Sequence, residues 1–217
     1  MHFLRKLILF GIICLLSSIA VHGKNDSFEG HIAFLKKTHF DTVKINYYIK
    51  GNKVRINQYT KDDILLHSLL LDLKQEKVIA IDPERKMYRV LNLKEKNYQN
   101  NKLRYQIKKT GNHRIVNGEN CYQWRVRDTE TKSEVAYWVI RNNFNFMDDV
   151  IRLLSKTDKV YLFFSQIQGT NGFFPMLTVE RNLLRKERQR IMVQNIDRKK
   201  MNESIFQVPS DFVEVSR

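Results

Sequence analysis

Thr42-Val43-Lys44-Ile45-Asn46-Tyr47-Tyr48-Ile49 runs through Lys50 into Gly51-Asn52, and Lys53-Val54-Arg55-Ile56 follows. Val43, Ile45, Tyr47 and Ile49 alternate with Thr42, Lys44, Asn46 and Tyr48. Period two puts the two sets on opposite faces of a strand, so one face can be buried. Gly-Asn between two such runs signals a tight hairpin, because its backbone reaches the conformations a short turn demands.

Outward from this hairpin the pattern continues. Upstream, Phe28, Gly30, Ile32 and Phe34 alternate with polar or small residues. Downstream, 64–71, 77–81 and 87–91 read as strands, separated by the polar turns 72–76 and 82–85. Residues 94–102 are polar and read as loop. Strands follow at 103–110, ending at Gly111, and at 114–117, ending at Gly118. Residues 121–127 and 134–140 flank the polar turn 128–133 as another hairpin. Strand character returns at 160–167. A last hairpin is expected from 176–181 and 190–196, although 183–190 could equally be helical. Pro209 keeps Val208 extended. Short strands with regular turn signals indicate an antiparallel sheet, sandwich or barrel.

One helix interrupts the strands. Phe146, Val150 and Leu154 share a face, with Met147 and Ile151 beside them. Asn145 is positioned to cap it, and Asp148 and Asp149 suit the positive end of the helix dipole. The spacing predicts a helix over 146–156, its apolar stripe packed on the sheet, since nothing else can cover it.

The N-terminus reads differently. Arg5 and Lys6 precede an apolar run, Leu7 to Leu16, and a short small-residue exit to Gly23. This is the pattern of a secretory signal peptide, cleaved after Gly23 or after Ala20. The run is too short to span a bilayer. Residues 24–217 then form one domain, expected in the periplasm without a stable membrane span. Cys14 lies inside the apolar run behind Ile13, which does not fit a lipid-attachment site. Cys121 alone remains, so no internal disulfide forms, unlike small secreted domains that rely on several.

The chain carries 38 Lys and Arg against 23 Asp and Glu, a net charge of +15. The basic residues cluster at Lys50/Lys53/Arg55, Arg85/Lys86/Arg89, Lys108/Lys109, Arg185/Lys186/Arg188/Arg190 and Arg198/Lys199/Lys200. Such clusters suit anionic lipid headgroups or glycans, but their dispersal equally describes a solvated surface. A nucleic-acid partner is not expected, because that needs charge focused on one face with stacking aromatics. No phosphate loop, nucleophile elbow, dinucleotide fingerprint or zinc-helix motif occurs. His31, His39, His67 and His113 are far apart, and no cofactor is implied. Cys121 is the one residue resembling a nucleophile. Arg125 and Arg127 could lower its pKa, whereas packing at the sheet end is the plainer use. No base partner is identifiable, so an enzyme is not expected.

Phe28-Glu29-Gly30-His31-Ile32, the 48–56 hairpin, Thr110-Gly111, Ile115-Val116-Asn117-Gly118-Glu119-Asn120-Cys121, the Trp-bearing strand pair and Ser204-Ile205-Phe206-Gln207-Val208-Pro209 occur in that order. In this order the chain resembles uncharacterised exported bacterial proteins sharing the half-barrel fold of the lipoprotein carriers LolA and LolB. The resemblance implies a mainly β (α+β) fold, a curved antiparallel sheet or half-barrel wrapped over one principal helix, with an apolar concave face. It implies no catalytic residues. The chain departs from the carriers in showing one good interior helix where they use several. A non-enzymatic envelope protein is the resulting expectation. Its ligand would be a lipid, acyl chain or other apolar group in a cavity lined by Phe146, Met147, Val150, Ile151, Leu154, Trp124 and Trp138. The alternative is a structural or interaction module that meets an envelope protein instead.

Overall fold

Gly51 adopts a φ of 54°, a conformation that favours glycine, and turns the chain between β2 (Thr42–Lys50) and β3 (Lys53–Tyr59). The computed structural model describes residues 27–93 and 104–215. The expected signal peptide and the whole of the expected 94–102 loop lie outside the described residues. Ile49 stands opposite Val54 and Tyr47 opposite Ile56, all four buried, so the alternation read from the sequence sets the register.

The meander continues through β4 (Leu65–Asp72), β5 (Lys77–Asp82) and β6 (Met87–Leu91). The second half comprises β7 (Tyr105–Val116), β8 (Glu119–Asp128), β9 (Glu134–Arg141), β10 (Phe173–Arg181) and β11 (Glu187–Arg198). With β1 (Gly30–Thr38) and β12 (Val213–Glu214), all join one curved open sheet, of 12 strands among the described residues, in the order β12-β6-β5-β4-β3-β2-β1-β11-β10-β9-β8-β7. The two halves meet where β1 (Gly30–Thr38) pairs antiparallel with β11, Gly30 opposite Arg198.

Two strands expected between Leu103 and Asn117 are one. β7 runs through Gly111, and its register against β8 shifts between Lys109 and His113. Glycine here marks an irregularity in a continuous strand rather than an end. The residues 183–190 are not helical: Asn182 to Lys186 form the β10–β11 turn, and β11 begins at Glu187.

Two helices occupy the β9–β10 connection, not one. α1 spans Phe146–Leu154, a little shorter than expected. α2 spans Lys159–Ser165 and overlaps the stretch 160–167 expected as a strand. The Asp158 carboxylate accepts the Val160 backbone N–H at 2.7 Å, which starts this helix. Asn145 makes no such cap at α1.

After β11 the chain crosses back as a strap. Lys50 Nζ donates to the Met201 carbonyl at 2.9 Å, and Arg55 Nη1 donates to the Ile205 carbonyl at 2.9 Å. Lys53 pairs with Glu203 at 2.9 Å in a 3-10 turn, Glu203–Phe206. The strap ends as β12 (Val213–Glu214), which adds to β6 in parallel and covers that edge.

The core lies between sheet and helices. Phe28, Phe144, Phe146 and Phe174 form an aromatic cluster, with Phe144 and Phe174 stacked at 4.4 Å. At the β8–β9 turn Asp128 is 1% exposed. Burial alone would push its carboxyl up. The Arg104 guanidinium at 2.8 Å and the N–H groups of Glu130 and Thr131 outweigh that and hold it below the usual value. A depressed carboxyl contributes stability above its unfolded pKa of about 3.9, lost as pH falls through the folded value. Urea midpoints measured between neutral pH and about pH 2 should therefore fall steeply for the wild type below pH 4. Asp128→Asn should start lower and flatten that acid limb. Parallel curves would show that the carboxylate contributes nothing.

Candidate functional site

Period two on the central strands turns Phe34, Ile45, Tyr47, Tyr137, Thr178 and Ile191 toward the helices. Met147 and Ile151, one helical turn apart on α1, face them, as do Val160, Tyr161 and Phe164 at α2. Between sheet and helices these side chains leave an apolar cleft of about 40 Å³. That is room for a few water-sized groups. A pocket for a small organic ligand is typically about 300–1,000 Å³. Most of the concave face is thus filled by the protein's own side chains.

Hydroxyl groups fasten the second helix. The Tyr47 and Tyr161 hydroxyls hydrogen-bond to each other, joining β2 to α2. Tyr137 Oη donates to the Val160 carbonyl at 2.6 Å, joining β9 to the same helix. Burial pushes all three phenols well above the ordinary tyrosine range, so they stay neutral and keep their protons for these bonds. Lys159 Nζ reaches the buried Glu180 carboxylate at 2.9 Å. At α1, Arg152 pairs with Glu76 of the β4–β5 turn, and Lys156 Nζ donates to the Leu93 carbonyl at 3.3 Å.

The residues singled out from the sequence do not all meet at the cleft. Met147 and Ile151 line the cleft. Phe146, Val150 and Leu154 are buried elsewhere in the core, with Leu153 beside them. Trp124 is buried against Phe173 at 4.6 Å, with Lys109 Nζ 4.3 Å from its ring centre. Trp138 alternates with Tyr137 and so stands on the other face of the sheet, under the Arg114 guanidinium at 5.2 Å. The sequence reading missed Tyr161 because it took that stretch for a strand. Nothing in the sequence pattern assigns a role to the Tyr47 or Tyr137 hydroxyl.

Cys121 is not an activated thiol. Burial pushes it up to about 11, and its thiol donates to the Glu119 carbonyl at 3.5 Å. Arg125, expected to lower it, is held by Glu134 at 2.7 Å. Among the described residues, no three His, Cys, Asp or Glu side chains could hold a metal ion. No helix among them is long and apolar enough to cross a membrane.

Residues 28–212 match the family described as a domain of unknown function, DUF4412. The chain belongs to this family. No protein of curated function matches its sequence. Among solved structures, this DUF4412 chain is similar to an uncharacterised conserved protein from Thermus thermophilus. The TM-score is 0.58 at 8% identity, over 89% of this chain and 93% of that one. It is also similar to a chain in the complex structure of Pseudomonas aeruginosa MucA/MucB. There the TM-score is 0.50 at 9% identity, over 87% of this chain and 58% of that one. At such identities the likeness is one of fold, and the shared fold is the curved sheet with helices on one face.

Proposed function

We propose that this DUF4412 protein is a non-enzymatic protein of the bacterial envelope, exported by residues 1–23 and working in the periplasm. Residues 24–217 act as one domain. Its concave face binds a lipid, acyl chain or other apolar ligand beneath α1 and α2, as the likeness to the LolA and LolB carriers suggests. The observation that carries this reading is the apolar cleft between the sheet and two short helices, of which α2 is fastened by a few polar bonds. An acyl chain exceeds about 40 Å³, so binding requires the helix pair to lift. Tyr47, Tyr161 and Tyr137 are the latches, and Met147 and Ile151 the first groups a ligand would meet.

The test is uptake of a fluorescent fatty-acid probe, with mass spectrometry of organic extracts from protein made in the periplasm. Each lost latch frees about 0.5–1.5 kcal/mol of hydrogen bonding. Tyr47→Phe combined with Tyr137→Phe should therefore speed probe uptake several-fold while lowering thermal stability. No bound amphiphile and no probe uptake in either protein would refute the reading.

The small volume of the cleft favours a second reading, a protein-interaction module with a filled core. The MucA/MucB complex is an assembly in which a chain of similar fold takes part. On this reading, crosslinking in envelope fractions recovers a specific protein and extracts yield no lipid.

A further inference from the structure

The other face of the sheet carries a feature that the dispersed basic clusters did not foretell. Gln123, Arg125 and Arg127 alternate with the inward Trp124 and Val126 and so project outward. With Lys132, Arg181 and Arg185 they line a polar groove of about 440 Å³. Glu134 is the one acid in its lining, and it is paired with Arg125 at 2.7 Å. Among the described residues, the remaining four cations of the groove make no close ion pair, although Arg181 stands near enough to Glu187 to help hold that carboxyl below its usual range. Elsewhere the chain pairs many of its cations, as in Lys44–Asp63, Lys86–Asp211 and Arg152–Asp149. Gln123 Oε1 accepts from Thr110 and Asn112, which leaves its amide N–H groups for the groove. The groove is built to meet anionic oxygens.

Its rim is apolar. Leu183 and Leu184, in the β10–β11 turn, are 54% and 77% exposed. Arg181 stands opposite Glu134 on one side and Glu187 on the other, and Arg127 also stands opposite Glu134. The β8–β9 and β10–β11 turns therefore lie at the same end of the sheet. Thr38 stands opposite Gln189, which brings the β1–β2 turn to that end too. That turn presents Phe40, 99% exposed. Three large apolar side chains at turn tips, beside a groove with more cations than acids, form the pattern of an interfacial binder. Apolar tips enter the boundary of the acyl chains while cations meet headgroup phosphates.

We propose that this end of the sheet docks on the surface of an anionic phospholipid membrane. Leu183, Leu184 and Phe40 enter the interfacial layer, and Arg127, Lys132, Arg181 and Arg185 bind the lipid phosphates. The inference is independent of the concave cleft, since it uses the other face and a different set of side chains.

Co-sedimentation of the mature protein with vesicles tests it. Binding is expected to phosphatidylglycerol mixed with phosphatidylcholine, not to phosphatidylcholine alone, and should weaken as salt rises. A cation near such a surface contributes about a fivefold factor, so Arg127→Gln with Arg181→Gln should weaken partitioning about 25-fold. Leu183→Ser with Leu184→Ser should weaken it about tenfold or more. The control removes equal charge at the opposite end, Lys74→Gln with Lys77→Gln, and should retain binding. No binding to the anionic vesicles, or equal loss in the control and the groove variant, overturns the proposal. All substituted positions are at or near the surface, and circular dichroism verifies that each variant folds. Unchanged fatty-acid probe uptake in the groove variant separates this result from the fate of the cleft.

Discussion

Gly30→Ala should be among the most damaging single substitutions in the protein. Gly30 has a φ of +153° where β1 enters the sheet, paired with Ile49 on one side and Arg198 on the other. A Cβ there would lie 2.1 Å from the Asp197 carbonyl oxygen and 3.0 Å from the Arg198 Cα. Both are backbone atoms of β11, so no side-chain rotation relieves the clash. Backbone strain and overpacking each cost about 1–3 kcal/mol, giving a loss of about 2–6 kcal/mol. Urea denaturation measures it. A loss below about 1 kcal/mol would mean that the β1–β11 seam yields freely.

Phe174→Ala should cost about 3–5 kcal/mol. Phe174 has no exposed surface, stacks on Phe144 at 4.4 Å and touches the clusters of both Phe34 and Phe146. It is the ring through which β10, the start of α1 and the middle of the sheet share one core. Its loss should also erase near-ultraviolet dichroism, because the neighbouring rings lose their fixed packing. Phe174→Leu, which keeps much of the volume, should recover part of the stability. An alanine variant as stable as the wild type would show that the helix pair is not anchored through this ring.

The strand pattern was legible wherever one face is buried and the other wet. β1 and β2 follow the alternation closely, and Gly51-Asn52 marks the turn from β2 into β3. The α1 stripe was legible because Phe146, Val150 and Leu154 keep helical spacing. α2 was not. Lys159–Ser165 is short and rich in β-branched and aromatic residues, and over seven positions an apolar run fits either period. Only the Asp158 cap distinguishes it, and a single Asp before Lys-Val is a common event. Gly111 misled in the other direction, since a glycine inside an irregular strand looks the same in sequence as one at its end. Trp138 could not be assigned to a face without the register that puts Tyr137 inside. The groove between β8, β9 and β10 draws Arg127, Lys132 and Arg181 from three strands and turns, and sequence proximity carries no trace of that convergence.

The seam between β1 and β11 governs the time course of folding. Each half of the sheet is a chain of neighbouring hairpins and can form locally, but the halves join only when Gly30 finds Arg198. That closure brings together residues from nearly opposite ends of the described chain, and distant contacts of this kind slow folding. During synthesis β1 emerges first and its partner almost last. Until then β1 offers an unpaired edge in the middle of the future sheet, where other chains can add to it. The strap after β11 follows the same schedule and fixes β12 on β6 only after the seam has closed. A polypeptide with this wiring completes its sheet late, once both ends of the described chain are available.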